Sequence, residues 1–410
     1  MRILPVFAAS LLCFTALSGH AEAGTGQALQ IIVSKDLQRV TVYDGLDVVA
    51  QSKVSTGKPG HTTPSGIFSI LEKRKFHRSN IYSNAPMPWM QRITWSGVAL
   101  HESNSVPDYP ASHGCVRLPA AFAKSLFEMT ERGAHVIISD AEVTPQLLSG
   151  SALPKPQIEE AVPMVSDAPL RASIGSSSNE TVEVAMNDPN PELGVKQEAQ
   201  RDPIYILITR TSERDRVAEI QERLNAIGYD AGTVDGILGR LTLRAINDFR
   251  TVYQLTPGKG LDDDFVAALA ARDLKGPIAN GRVMIRENFK EIYSAGVTID
   301  EPQKALGTHF MEARDVSPTD GTVNWYGVSL ANHLSTREQA RMGIIEQADD
   351  PAFNSATNAL ARIHMPEEAR KKIATLMGEG SALTITDTGH QPETGLGTNF
   401  ITLTRKAPQS

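Results

Sequence analysis

Between about residue 144 and residue 200 the chain loses the side chains from which a core is built. Pro, Ser, Glu, Asn and Ala dominate there, Gly175-Ser176-Ser177-Ser178 sits in the middle and aromatics are scarce. A segment so poor in apolar residues cannot bury enough surface to offset its ordering entropy, and it reads as a flexible linker. Whatever folds must therefore fold on either side of it. Length permits this, because 410 residues suffice for two or three domains.

The N-terminus reads as an address. Met1-Arg2 is a short positive start, Ile3 to Leu17 is mostly apolar but too short to span a bilayer, and Ala21-Glu22-Ala23 supplies a small-residue cleavage site. Residues 1–23 are thus expected to be a signal peptide. Cys13 would leave with it, and Leu12 before it is too large for a lipid-attachment site. No second long apolar run follows, so no integral membrane segment is expected after cleavage, and the periplasm or cell envelope is the expected compartment. The remaining Cys115 then has no partner for an internal disulfide. A net charge of -7 without a basic block makes nucleic acid a poor candidate partner.

Three ordered stretches remain. Residues 28–141 read as mainly β, with β-branched runs at Ile31-Ile32-Val33 and Val40-Thr41-Val42-Tyr43 and turn punctuation at Gly57-Lys58-Pro59-Gly60 and Thr63-Pro64-Ser65-Gly66. A helix is expected from Ala120 to Arg132, then a strand at Val136-Ile137-Ile138. Residues 213–272 carry two helical stripes, Val217, Ile220, Leu224 and Ile227, then Leu238, Leu241, Ala245, Phe249 and Val252. The glycines between them suit tight turns, since no strand leads into them and no Lys-Ser/Thr pair follows. Residues 280–405 repeat the layout of the first stretch. Asn324-Trp325-Tyr326-Gly327-Val328-Ser329-Leu330 echoes Thr94-Trp95-Ser96-Gly97-Val98-Ala99-Leu100. Ile363-His364-Met365-Pro366 through Asp387 lies on Val116-Arg117-Leu118-Pro119 through Asp140 without a gap. A degenerate second copy is expected, in which Ala331 stands for His101 and Arg362 for Cys115.

Cys115 sits in Ser112-His113-Gly114-Cys115-Val116-Arg117. A thiolate is the strongest nucleophile a protein offers near neutral pH, and a neighbouring imidazole can take its proton. Two imidazoles are available. In an extended segment His113 points to the same side as Cys115, and His101 ends Val98-Ala99-Leu100, a strand that could pair beside the Cys115 segment. The residues alone rank the two equally. Gly114 permits close approach of a substrate, and the Gly114 and Cys115 amides could face an oxyanion. Arg117 could hold a carboxylate, stiffen the loop or merely bridge to a surface acid. An inert buried thiol fits poorly with Gly, His and Arg on its borders, and a zinc site of His101, His113 and Cys115 lacks an obvious fourth ligand. A papain-like order is reversed here, because His101 precedes the cysteine.

This six-residue stretch resembles the signature of the L,D-transpeptidase (YkuD) family, with the family's upstream histidine at His101. Thr63-Pro64-Ser65-Gly66 and the stretch from Ser79-Asn80-Ile81-Tyr82 to Leu100 are also similar. The family usually follows this histidine with Gly or Ser, and here Glu102 follows. The resemblance implies a β-rich catalytic domain acting on peptidoglycan stem peptides without metal or organic cofactor. Cys115 would attack the third residue of a tetrapeptide, release D-Ala and pass the acyl group to an amine. His101 would be the general base, and His113, Ser112, Gly114 and Arg117 would support substrate and oxyanion. Transfer to water would instead make a carboxypeptidase or endopeptidase, and a non-catalytic wall-binding scaffold is the reading from another class. Ile220-Gln221, Leu224, Gly228-Tyr229, Asp235-Gly236, Gly239, Thr242, Ala245-Ile246 and Phe249 resemble the type 1 peptidoglycan-binding domain, although Arg250 stands where that family usually has Gln. That implies glycan or stem peptide as a partner. The sequence says nothing about oligomeric state.

Overall fold

The computed structural model describes residues 29–79, 84–158, 201–256, 258, 260–272, 276–348, 354–395 and 397–407. The expected signal peptide, Cys13, most of the expected linker and Asn80-Ile81-Tyr82 lie outside those residues.

The first unit runs β1 (Gln30–Ser34), β2 (Arg39–Asp44), β3 (Asp47–Lys53), β4 (Ser65–Ser69), β5 (Glu72–Arg74), β6 (Met90–Arg92), β7 (Ala99–Glu102), β8 (Val116–Leu118), α1 (Ala120–Met129) and β9 (His135–Ser139). After β10 (Gln146–Leu148) and the second unit's first strand, β11 (Ile204–Arg210), come the helices α2 (Glu213–Ala226), α3 (Arg240–Val252) and α4 (Asp263–Arg272). The second unit then continues through β12 (Gly281–Glu287), β13 (Lys290–Ile299), β14 (Thr308–Ser317), β15 (Thr322–Leu330), α5 (Thr336–Met342), α6 (Ser355–Ala361), β16 (Ile363–His364), α7 (Glu367–Leu376), β17 (Ala382–Thr386) and β18 (Thr402–Thr404).

Three sheets result, ordered β18-β4-β9-β1-β2-β3, β5-β6-β7-β8 and β10-β15-β14-β17-β11-β12-β13-β16. Strands β1, β4, β9 and β17 of the two larger sheets are buried along their whole length because each has a core on both faces. Ile31, Val33, Phe68, Val136 and Ile138 face a core closed by Ala123 and Leu126 of α1. The alternate residues Ile32, Ile67 and Ile137 meet Tyr205, Leu207, Met284 and Phe310 of the other large sheet. The two sheets therefore pack face to face, and neither unit closes its core alone.

A polar pair lies in that interface. His135 Nδ1 is 3.0 Å from Glu312 Oε2, with both side chains buried. Burial pushes the Glu312 carboxyl pKa up, and the His135 contact offsets part of the rise. Removing one member strands the other in a low-dielectric site. Glu312→Ala should cost about 3 kcal/mol, read as a lower urea midpoint of the full chain, with Glu312→Gln losing less.

The chain organisation departs from the sequence expectation in three places. The second unit begins at β11, not at residue 280, and α2 to α4 are inserted between its first two strands. Residues 146–148, expected as linker, pair with β15, and Pro154 O accepts from Trp325 Nε1 at 2.9 Å. Conversely β18, expected in the C-terminal unit, pairs with β4 of the first sheet. Short edge strands have little local signal; they form because an exposed sheet edge offers unpaired backbone groups.

The strand order β14-β17-β11-β12-β13 mirrors β4-β9-β1-β2-β3, including one parallel pair in the same place. The elements β16, α7 and β17 follow β8, α1 and β9 at one constant offset. An ion pair also recurs after the parallel strands, Lys35–Asp140 at 2.8 Å and Arg210–Asp387 at 2.6 Å. The Trp325 echo does not correspond in the same way: β15 forms a hairpin with β14, whereas β7 pairs with β6 and β8. Ala331 therefore does not sit where His101 sits. Arg362 does precede β16 as Cys115 precedes β8. Its guanidinium is spent on backbone carbonyls, Glu301 O and Lys304 O at 2.8 Å and Ala305 O at 3.0 Å.

The helices form their own core around Ile220, Leu224, Phe249, Phe265 and Leu269. Ser212 caps α2, its Oγ accepting from Asp215 N at 3.1 Å. Buried Gln221 ties down the glycine-rich loop, accepting from Asp235 N and Gly236 N and donating to Ile237 O. Arg250, the departure from the family pattern, is buried and donates to Thr256 O at 3.0 Å while pairing with Asp262.

Candidate active site

β7 and β8 run parallel with Leu100 opposite Val116 and His101 opposite Arg117. Leu100 and Val116 turn into the core. Alternation then puts Ala99, His101 and Arg117 on the opposite face, where Cys115, immediately before β8, packs against Met87, Met90 and Ala99. The register thus brings His101 and Cys115 together on one face.

The Cys115 thiol donates to Gly97 O at 3.6 Å. Burial raises its pKa, partly offset by the Ala99 amide and by Arg92 and Arg117. Burial lowers the His101 pKa, and Arg117 pushes the same way. Both shifts favour the neutral forms, thiol and imidazole. His101 Nδ1 lies 2.7 Å from Glu102 O. A carbonyl oxygen only accepts, so Nδ1 carries the hydrogen and Nε2 keeps the lone pair. Because the partner is Glu102's backbone, the unusual side chain at 102 leaves this contact intact.

The loop before Cys115 is held from within. Ser112, buried, donates through Oγ to Cys115 O at 2.6 Å and accepts from Gly114 N at 3.1 Å. Thr63 Oγ1 donates to Gly114 O and accepts from Gly57 N, both at 2.8 Å. Two expectations change. The Gly114 amide is already engaged, which leaves the Cys115 amide as the loop's oxyanion donor. His113 does not share Cys115's side by strand alternation, because Gly114 at φ +117° breaks the extended run. His113 is exposed and meets the ring of His61 edge-on, centroids 4.7 Å apart.

Open space surrounds a Cβ at Gly114, with His61 O the nearest atom at 3.8 Å, so conformation alone demands glycine there. Gly114→Ala should lower turnover more than tenfold while costing about 1 kcal/mol of stability, checked by steady-state rates beside thermal melts.

Arg117 is backbone-paired with Ser55, whose N donates to Arg117 O at 3.1 Å and whose O accepts from Arg117 N at 3.0 Å. Among the described residues its guanidinium makes no ion pair, which leaves it available to a ligand carboxylate. Sequence reasoning missed Thr63, Gly97, Arg92 and His61 as members of the site. Arg92 lies opposite Ala99 across β6–β7 and pairs with Glu72 at 3.0 Å. No short motif ties these residues to Cys115; only long-range register does. Among the described residues no three His, Cys, Asp or Glu side chains converge as a metal site requires, and no helix is long and apolar enough to cross a membrane.

Residues 29–138 match the L,D-transpeptidase catalytic domain (YkuD), and residues 213–269 match a peptidoglycan binding domain. The structure is similar to an L,D-transpeptidase from Mycobacterium smegmatis, 24% identical over 27% of this chain and 58% of that one, with a TM-score of 0.26. An L,D-transpeptidase from Stackebrandtia nassauensis is 26% identical over 32% of this chain and 62% of its own, at 0.26. One from Enterococcus faecium is 27% identical over 27% and 49%, at 0.25. The chain thus spans less than two thirds of the length of these solved chains. No curated protein sequence matches it.

Proposed function

We propose that the chain is an L,D-transpeptidase of the cell envelope that cross-links peptidoglycan stem peptides through a Cys115 thioester. The observation that carries this is the common face of β7 and β8. In support, His101, with Nδ1 turned to Glu102 O, lies on the face of β7 that Cys115 also borders, inside the region matched by the catalytic domain.

In the first half-reaction Sγ attacks the carbonyl carbon of the stem's third residue and its proton passes to His101 Nε2. The carbonyl oxygen, now negative, is met by the Cys115 amide. The C–N bond to D-Ala breaks, and the leaving amine takes the proton from His101. In the second, an acceptor amine attacks the thioester and gives its proton to His101; the C–S bond breaks with its electron pair going to sulfur, which takes the proton back from His101. Arg117 gives the rim a cation suited to the carboxylates of a stem peptide. The helical domain would hold the enzyme on the wall, and residues 1–23 would direct export.

The second unit, on this reading, is a duplicated and chemically silent relative of the first. Its support is the mirrored strand order, the constant offset of β16-α7-β17 and the recurring ion pair, with Arg362 standing where the thiol would be.

Incubating the full chain with tetrapeptide muropeptides and weighing the products tests the transfer. Dimers or exchanged D-amino acids are expected. Trimmed monomers alone would assign water as acceptor and make the enzyme a carboxypeptidase.

A further inference from the structure

The turn between β6 and β7 carries the carbonyl that meets the thiol, and a residue nearly 300 positions away holds that turn. Trp95 N donates to Glu393 Oε2 at 2.7 Å and Ser96 N donates to Glu393 Oε1 at 3.0 Å. Each carboxylate oxygen therefore takes one of two successive amides. Within the turn, Gly97 N donates to Thr94 O, Val98 N to Thr94 Oγ1 and Ile93 N to Val98 O. The next residue, Gly97 at φ +109°, presents its carbonyl to Cys115 Sγ.

Glu393 is itself well fixed. Its loop closes through Gln391 N to Ile401 O at 2.8 Å, Thr398 Oγ1 to Glu393 O at 3.1 Å and Ile401 N to Thr394 Oγ1 at 3.2 Å. β18 then anchors the loop on β4, and Arg132 donates to Gly397 O at 2.8 Å. These two bonds lie at the surface, and backbone amides bonded to a carboxylate are among the stronger hydrogen bonds a turn can make.

We propose that Glu393 is a positioning residue for Cys115: the C-terminal segment uses it to fix the turn whose Gly97 carbonyl holds the thiol in place. The C-terminal unit is then part of the active site's construction, which explains why β18 crosses back to the first sheet. Glu393 touches no reacting atom. It acts through the turn, so its loss alters thiol geometry while the substrate rim of Arg117, His61 and His113 stays as it is. The turnover expectation below rests on the acyl-transfer reading; the geometric one does not.

The test uses the full chain with Glu393→Ala and Glu393→Gln, and Cys115→Ala as the blank for modification. Two quantities are read: the pH profile of Cys115 alkylation by iodoacetamide, followed by intact mass, and kcat and KM for tetrapeptide transfer. With the Gly97 carbonyl released from the thiol, Glu393→Ala should move the alkylation midpoint to lower pH. It should also lower kcat about tenfold or more with KM little changed. Glu393→Gln keeps one acceptor oxygen and should fall between, and it decides the matter if the alanine variant fails to fold. An alkylation profile and kcat equal to wild type in the folded variants overturn the proposal. A shifted profile in an enzyme that transfers to no amine would uphold Glu393's role and remove the transpeptidase reading instead.

Discussion

Replacing Cys115 with alanine is expected to abolish acyl transfer, lowering turnover by at least about a thousandfold. Among the described residues Cys115 is the only thiol, and Arg362, which precedes β16 as Cys115 precedes β8, commits its donors to backbone carbonyls. The substitution removes only the sulfur from contact with Met87, Met90 and Ala99, so the melting temperature should change little. Turnover with tetrapeptide, measured beside a thermal melt, separates these effects. Binding to insoluble peptidoglycan through residues 213–269 should persist in the variant.

His101→Gln should lower the acylation rate about a hundred- to ten-thousandfold. The reason is that both groups favour their neutral forms. Burial raises the thiol pKa and lowers that of His101, so the proton must leave Sγ during attack, and Nε2 is the atom able to receive it. The sign of the pH dependence follows. A base whose pKa is depressed stays neutral and competent below its ordinary value, so the acid limb of the acylation profile should lie below about pH 6.5. No loss is expected on the alkaline side, since a neutral imidazole stays competent there and an ionised thiol is itself the stronger nucleophile. A preformed thiolate–imidazolium pair would give the reverse, with activity falling as His101 deprotonates near neutral pH. In His101→Gln the acid limb should vanish and the residual rate should climb with pH as hydroxide takes the base's part.

Some of this was legible in the sequence and some was not. Cys115 and the loop Ser112-His113-Gly114 could be read because the chemistry is concentrated in six consecutive residues. The choice between His101 and His113 could not, since it turns on the register of β7 against β8 and on one backbone angle at Gly114. The strand at Ile204–Arg210 had a clear β-branched signal, yet it falls before a helical insertion that hides its partner β12 some seventy residues on. β10 and β18 are three residues each and form only because another unit's sheet edge is present. Glu393 was illegible for the same reason: a surface glutamate acquires meaning only when a distant turn offers it two amides. The repeated layout was partly readable. The gapless run from Val116 to Asp140 coincides with β16-α7-β17, whereas the Trp325 echo is similarity of local pattern without equivalence of place.

The most direct test of the central claim is the intact mass of the full chain quenched during turnover with a tetrapeptide muropeptide. A covalent adduct equal to the muropeptide less D-Ala is expected, mapped to Cys115 and chased off by an added amine. An enzyme that turns over without ever carrying such an adduct, or that carries it on another residue, would contradict a Cys115 thioester.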